Sequence, residues 1–210
     1  NSPRTVTVTV TDTSPWVSVG PGGGGAMYAP QSNPHDPNLM FVSCDMGGFY
    51  RSTDGGATWW MYSWHDIGAF IHCRPVFHPT NTNTVYVGNF KSTDRGDTWL
   101  PLHASPSWGT NEIYDMRIAP DGRVILARTA SETHITRNSG TSWSLITGGG
   151  GDTTGMLIDA SSPANNRTLY LATTAAIRKS TDEGTNWTTV TTGLPWTVIR
   201  SFAGASNAAR

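Results

Sequence analysis

The chain has 210 residues, a formal net charge of -1, 14% charged residues and 37% hydrophobic ones. That length buries roughly 70% of the unfolded surface on folding, enough for one domain with a real core. Lys91 and Lys179 are the only lysines and no run of 18 apolar residues exists, so neither a nucleic-acid footprint nor a membrane span is expected.

At the start of the chain, residues 1–10 are polar and β-branched, unlike the basic-then-apolar order of a signal peptide. Residues 5–11 alternate Thr and Val, a half-buried strand pattern. They are read as the end of a preceding β-sandwich or as an added edge strand, so 1–15 is taken as an N-terminal strand or linker and 16–210 as the main segment. Trp16 to Val19 has the pattern of an outer strand without a sheet of its own.

Further along, short β-branched runs stand at 39–42, 85–87, 124–127 and 169–172. Each follows a turn signal: His35-Asp36-Pro37-Asn38, Pro79-Thr80-Asn81, Pro120-Asp121-Gly122 and Pro163-Ala164-Asn165-Asn166. Preceding strands are predicted near 26–29, 74–77, 114–118 and 155–158, with a fifth at 198–202. Helical periodicity is not found.

After each run comes a repeated motif, S-x-D-x-G-x-T-W, starting at 52, 92, 136 and 180. Its residues are Asp54 and Trp59, Asp94 and Trp99, Asn138 and Trp143 in a weakened copy, and Asp182 and Trp187. The spacings of 40, 44 and 44 residues match one four-stranded propeller blade. In such a hairpin the Asp carboxylate accepts backbone N–H bonds, Gly supplies positive φ and Trp opens the next strand against a core. The expected fold is therefore all-β: four complete antiparallel blades plus parts of others, a partial or truncated ring.

These hairpins resemble the Asp-box, or BNR repeat, of sialidases, sortilin-type receptors and family 74 glycoside hydrolases. That resemblance puts the box on the hairpin between the third and fourth strands of each blade, away from the ligand, and makes the eight residues above structural. Any site is then sought on the other rim, where the loops from second to third strand and from blade to blade converge. The run Trp16 to Gly25, then His35-Asp36-Pro37-Asn38, then Cys44-Asp45-Met46-Gly47-Gly48-Phe49-Tyr50-Arg51, is similar to the opening blade of family 74 xyloglucanases. By this resemblance Asp45 falls on the catalytic carboxylate that acts as general base in an inverting mechanism, and the general acid comes from a second propeller. Cys44 stands where that family usually has Thr. Read from the residues alone, Asp45 is equally a loop carboxylate bonding backbone amides. The resemblance implies a secreted or cell-surface protein acting on a xyloglucan-type β-glucan; a non-catalytic glycan- or protein-binding propeller is the alternative.

Three tryptophans outside the motif, Trp64, Trp108 and Trp196, fall in blade-to-blade loops, where exposed indoles can stack on the C–H faces of sugars. Beside them His65, Asp66, Glu112, Asp115 and Arg117 are candidates for substrate hydrogen bonds or a second carboxylate. Arg74, Arg117 and Arg200 sit on first strands, but no F/Y-R-I-P signature precedes the first motif, so a sialidase ranks lower. No His pair has metal-ligand spacing, and neither a metal nor a cofactor is expected. Cys44 and Cys73 are either a disulfide between neighbouring blades or two buried thiols.

Overall fold

The computed structural model describes residues 25–67, 74–102, 112–147, 153–190, 192–193, 199–200 and 202. The boundary at residue 15, the strand at 16–19, Cys73, Trp108 and Trp196 lie outside the described residues.

Among the described residues, sixteen strands form four antiparallel four-stranded sheets, each built from consecutive strands in simple meander order. The first sheet comprises β1 (Met27–Asn33), β2 (Asp36–Cys44), β3 (Gly48–Ser52) and β4 (Trp60–Met61). The second has β5 (Val76–Phe77), β6 (Val85–Val87), β7 (Phe90–Ser92) and β8 (Leu100–Pro101). The third is β9 (Asp115–Ile118), β10 (Ile125–Arg128), β11 (Thr133–Thr136) and β12 (Ser144–Leu145). The fourth is β13 (Thr153–Ile158), β14 (Leu169–Thr173), β15 (Ile177–Ser180) and β16 (Thr188–Thr189).

The second strand of each sheet carries an apolar run, at 39–42, 85–87, 125–127 and 169–172, most of whose residues are buried, as expected where both faces are covered. Val85 and Val87 point at the first sheet, joining Leu39, Phe41, Phe49, Tyr62, Ile67 and Phe77. Tyr86, between them, points the other way and joins Ile113, Met116, Ile125 and Ala127 of the third. Val124 and Leu126 then face the fourth sheet, with Met156, Ile158, Leu169 and Leu171. Three cores thus lie between successive sheets, and the first strands β5, β9 and β13 are neighbours around a common axis. This is the arrangement of blades in a partial β-propeller. Of the predicted fifth inner strand only residues 199, 200 and 202 are described, and none is assigned to a strand; the Ile199 amide donates to the Thr174 carbonyl (3.0 Å), and Phe202 lies against Gly155.

Each motif hairpin is tied internally in the same way. The hydroxyl of Ser52, Ser92, Thr136 or Ser180 donates to the Asp or Asn two residues on (2.7–2.8 Å) and accepts the amide of the fifth motif residue. The same Asp or Asn oxygen accepts the amide four residues later, at 2.9 Å in every copy. Where Asn138 replaces Asp, the outer bond reverses: its Nδ2 donates to Ser142 Oγ, whereas the Thr58 hydroxyl donates to Asp54. The fourth and fifth motif residues are both left-handed, with φ of 65° and 90° at Arg95 and Gly96, and 56° and 81° at Glu183 and Gly184.

The hairpins of the second, third and fourth blades lie against the preceding blade. Trp99 packs edge-on against Phe41, Phe49 and Tyr62 of the first blade. Arg95 pairs with Asp36, and the Lys91 ammonium donates to the Ser139 carbonyl (3.3 Å). Arg123 pairs with Glu183, whose carbonyl accepts from Arg137 Nε at 3.0 Å. The first turn differs from expectation: it is confined to Pro34 and His35, and Asp36 to Asn38 already belong to β2, because Asn33 Oδ1 accepts the His35 amide and closes a tighter hairpin.

Candidate functional site

Antiparallel order fixes which loops share a rim. The motif hairpins lie at the same end of each blade as the turns from first to second strand. The hairpins from second to third strand and the blade-to-blade connections lie at the other end. Asp45 is therefore on the rim opposite the motif hairpins, at the tip between β2 and β3. Its Oδ1 accepts the Ala26 amide at 2.9 Å, and its own amide donates to the Ala26 carbonyl at 3.3 Å. Gly25, at φ 98°, makes this approach possible, since a Cβ there would collide with the Asp45 carboxylate and the Met46 side chain. The loop-carboxylate geometry is present, and it holds an exposed carboxylate beside the first residues of the innermost strand. Cys44, behind it, is buried, and its Sγ lies 3.9 Å from Asp45 Oδ1.

Near the axis, the first strands of three blades enclose a pocket of about 280 Å³ lined by Ala29, Arg74, Val76, Tyr114, Asp115 and Arg117. Asp115 and Arg117, two apart on β9, share a face, and Arg117 donates to Asp115 Oδ1 at 2.5 Å. The Arg117 guanidinium also donates to the Met116 carbonyl at 3.0 Å, and the Arg128 guanidinium lies over the Tyr114 ring at 5.9 Å. Two candidates from sequence thus meet in one pocket, joined by Arg74 and by Tyr114. The period of two along β9 was the signal for Arg117; nothing local marked Tyr114.

Trp64 is 76% exposed, and its ring centroid lies 3.8 Å from that of His65 with the planes tilted by 32°. His65 and Asp66 do not face the axial pocket. They line a groove of about 400 Å³ on the outer wall between the first and second blades, together with Trp60, Tyr62, Phe90 and Trp99. Asp45 lines neither space. Glu112 precedes β9 at the same rim, with Oε1 buried. Sequence reasoning missed Trp60. Its signal was the Trp59-Trp60 pair, an aromatic residue directly after the motif Trp.

The motif carboxylates are held strongly acidic: the Thr58 hydroxyl and amide bring Asp54 to about 2, and the Asn186 amide and the Ser180 hydroxyl do the same for Asp182. Such groups remain ionised and committed to their own hairpins, which leaves no proton for them to exchange near neutrality. Among the described residues no three His, Cys, Asp or Glu side chains come together as a metal site.

The fold defines the class: a partial β-propeller with hairpin-tied blades. Among solved structures the chain is similar to an ancestral GH74 enzyme, with a TM-score of 0.62 at 22% identity over 82% of this chain and 25% of that one. It is also similar to the GH74 xyloglucanase from Xanthomonas campestris, with a TM-score of 0.59 at 17% identity over 77% of this chain and 29% of the other. YCF48 bound to D1 peptide matches with a TM-score of 0.50 at 14% identity, over 87% and 74% of the respective chains. At these identities the likeness is one of fold, and the chain spans about a quarter of the length of each GH74 enzyme. No protein-family model matches the chain, and no curated protein sequence matches it significantly.

Proposed function

We propose that this chain is an Asp-box propeller of an extracellular glycoside hydrolase acting on a xyloglucan-type β-glucan, with Asp45 as the general base of an inverting reaction. The observation that carries the reading is the position of Asp45: an exposed carboxylate, steadied by the Ala26 amide, on the rim opposite the motif hairpins. The bond to Oδ1 leaves Oδ2 to take a proton from an attacking water. An inverting enzyme sets its second carboxyl roughly 6.5–9.5 Å away to leave room for that water, and protonates the departing oxygen with it. In this reading the acid belongs to a second propeller facing Asp45. Trp64, Trp108 and Trp196 act as sugar platforms along the rim, and Glu112, Asp115 and Arg117 bind sugar hydroxyls.

The test is reducing-end release from xyloglucan and mixed-linkage glucan by the full-length protein and its Asp45→Ala variant. Loss of turnover with retained folding is expected; unchanged turnover removes Asp45 from the mechanism. The second reading, a non-catalytic binding propeller, draws on the likeness to YCF48, a propeller seen with a bound peptide. Binding on a glycan array without any released sugar would favour it.

A further inference from the structure

We propose that the outer groove between the first and second blades is a binding site for neutral oligosaccharides, whose lining does not include Asp45. The groove runs along the wall where the outermost strands β4 and β8 face each other, from Asp97 and Thr98 at the motif rim to His65 and Asp66 at the opposite one. Its volume, about 400 Å³, accommodates a drug-sized ligand, the range in which small-molecule sites fall.

Four aromatic rings form its floor. Trp60 is 55% exposed, although it belongs to a strand, and its ring lies 5.2 Å from that of Tyr62. Tyr62 is fixed in turn by its hydroxyl, which donates to the Gly96 carbonyl at 2.5 Å, and by an edge contact with Trp99. Trp60 therefore presents an indole face on a rigid backing, the low-entropy platform that a pyranose C–H face needs. Other blades carry Leu100, Ser144 and Thr188 at this position, so the platform is particular to the first blade.

The flanking groups select the ligand. Among the described residues, Asp66 and Asp97 line the groove and no Arg or Lys does, which suits hydroxyl donors and disfavours uronic or sulfated sugars. The charge of Asp97 is already met by Arg51 Nη1 at 2.5 Å, so the groove exerts little net pull on a cationic peptide. A neutral pyranose chain, donating hydroxyls to carboxylates and stacking on Trp60, fits what remains.

Isothermal titration of the full chain with cellohexaose and a xyloglucan heptasaccharide tests this. Binding is expected to weaken about tenfold in Trp60→Ala, the scale of losing one aromatic anchor, and to be restored in Trp60→Phe. Hexagalacturonate is expected not to compete. Because the site does not use Asp45, Trp60-dependent binding is expected to persist in Asp45→Ala, so failure of the hydrolase reading and failure of this one are distinct results. Unchanged affinity in Trp60→Ala, equal binding of hexagalacturonate, or binding of hexa-arginine in place of either neutral sugar would overturn the proposal.

Discussion

Replacing Gly96 by Ala tests how the blades are joined. Gly96 and Gly140 occupy the same motif position and nearly the same backbone conformation, φ 90° and 85°. An L-residue there costs about 1–2 kcal/mol in either case. Their surroundings differ. A Cβ on Gly96 would sit 2.8 Å from Phe41 Cζ and from the Tyr62 hydroxyl, inside the core between the first two blades. At Gly140 the nearest atom, Leu102 Cδ1, is 3.8 Å away, an ordinary contact. Forcing a methyl into the tighter place adds about 1–3 kcal/mol of overpacking. Gly140→Ala is then expected to destabilise by about 1–2 kcal/mol and Gly96→Ala by about 2–5 kcal/mol. Urea unfolding followed by tryptophan fluorescence measures both. Equal shifts would refute the idea that the hairpin of one blade is wedged into the core of the one before it.

The motif carboxylates predict acid sensitivity: Asp54 and Asp182 titrate near 2 in the folded chain against 3.8 ordinarily, so their contribution is complete above about 3.8 and is lost as pH falls toward 2. The Asp54→Asn, Asp182→Asn double variant should show a flatter loss of urea midpoint between pH 5 and 2; an unaltered slope would contradict it. His78 acts in a higher window. Its Nδ1 accepts the amides of Asn81 (3.0 Å) and Thr80 (3.3 Å), and burial, with Lys91 nearby, holds the ring below its ordinary 6.5. Its contribution is full above 6.5 and declines as pH falls below it, a decline that His78→Asn, with an acceptor that cannot protonate, should remove. Arg167, buried and bonded to the Ala160 and Ser162 carbonyls and to Asp121, should cost about 2–4 kcal/mol as Arg167→Met. The exposed Arg117→Met should stay within about 0.5 kcal/mol by thermal unfolding.

The blade architecture was legible because it rests on local chemistry repeated four times. A Ser or Thr, an Asp or Asn, a Gly and a Trp at fixed offsets specify one hairpin, and its period specifies one sheet. Asn138 shows how far the signal stretches: the motif is weaker, yet the same acceptor oxygen meets the amide four residues on. Apolar runs such as Val85-Tyr86-Val87 announced strands buried on both faces, but not which blade each face would meet. The rim holding Asp45 could be inferred from strand order alone, since a meander alternates its turns between two ends.

What the sequence could not separate were neighbours in three dimensions. His65 and Asp66 read as companions of Asp115 and Arg117, yet they turn to the outer wall while the β9 pair turns to the axis. How one blade sits on the next is fixed by contacts 30 or more residues apart, such as Tyr62 on Gly96 and Arg123 on Glu183. Residue spacing along a chain encodes hairpins and periods; it carries no term for the tilt between sheets. By itself the sequence determined the repeat, the strands and the rim, and only tertiary packing decided which side chains on that rim share a pocket.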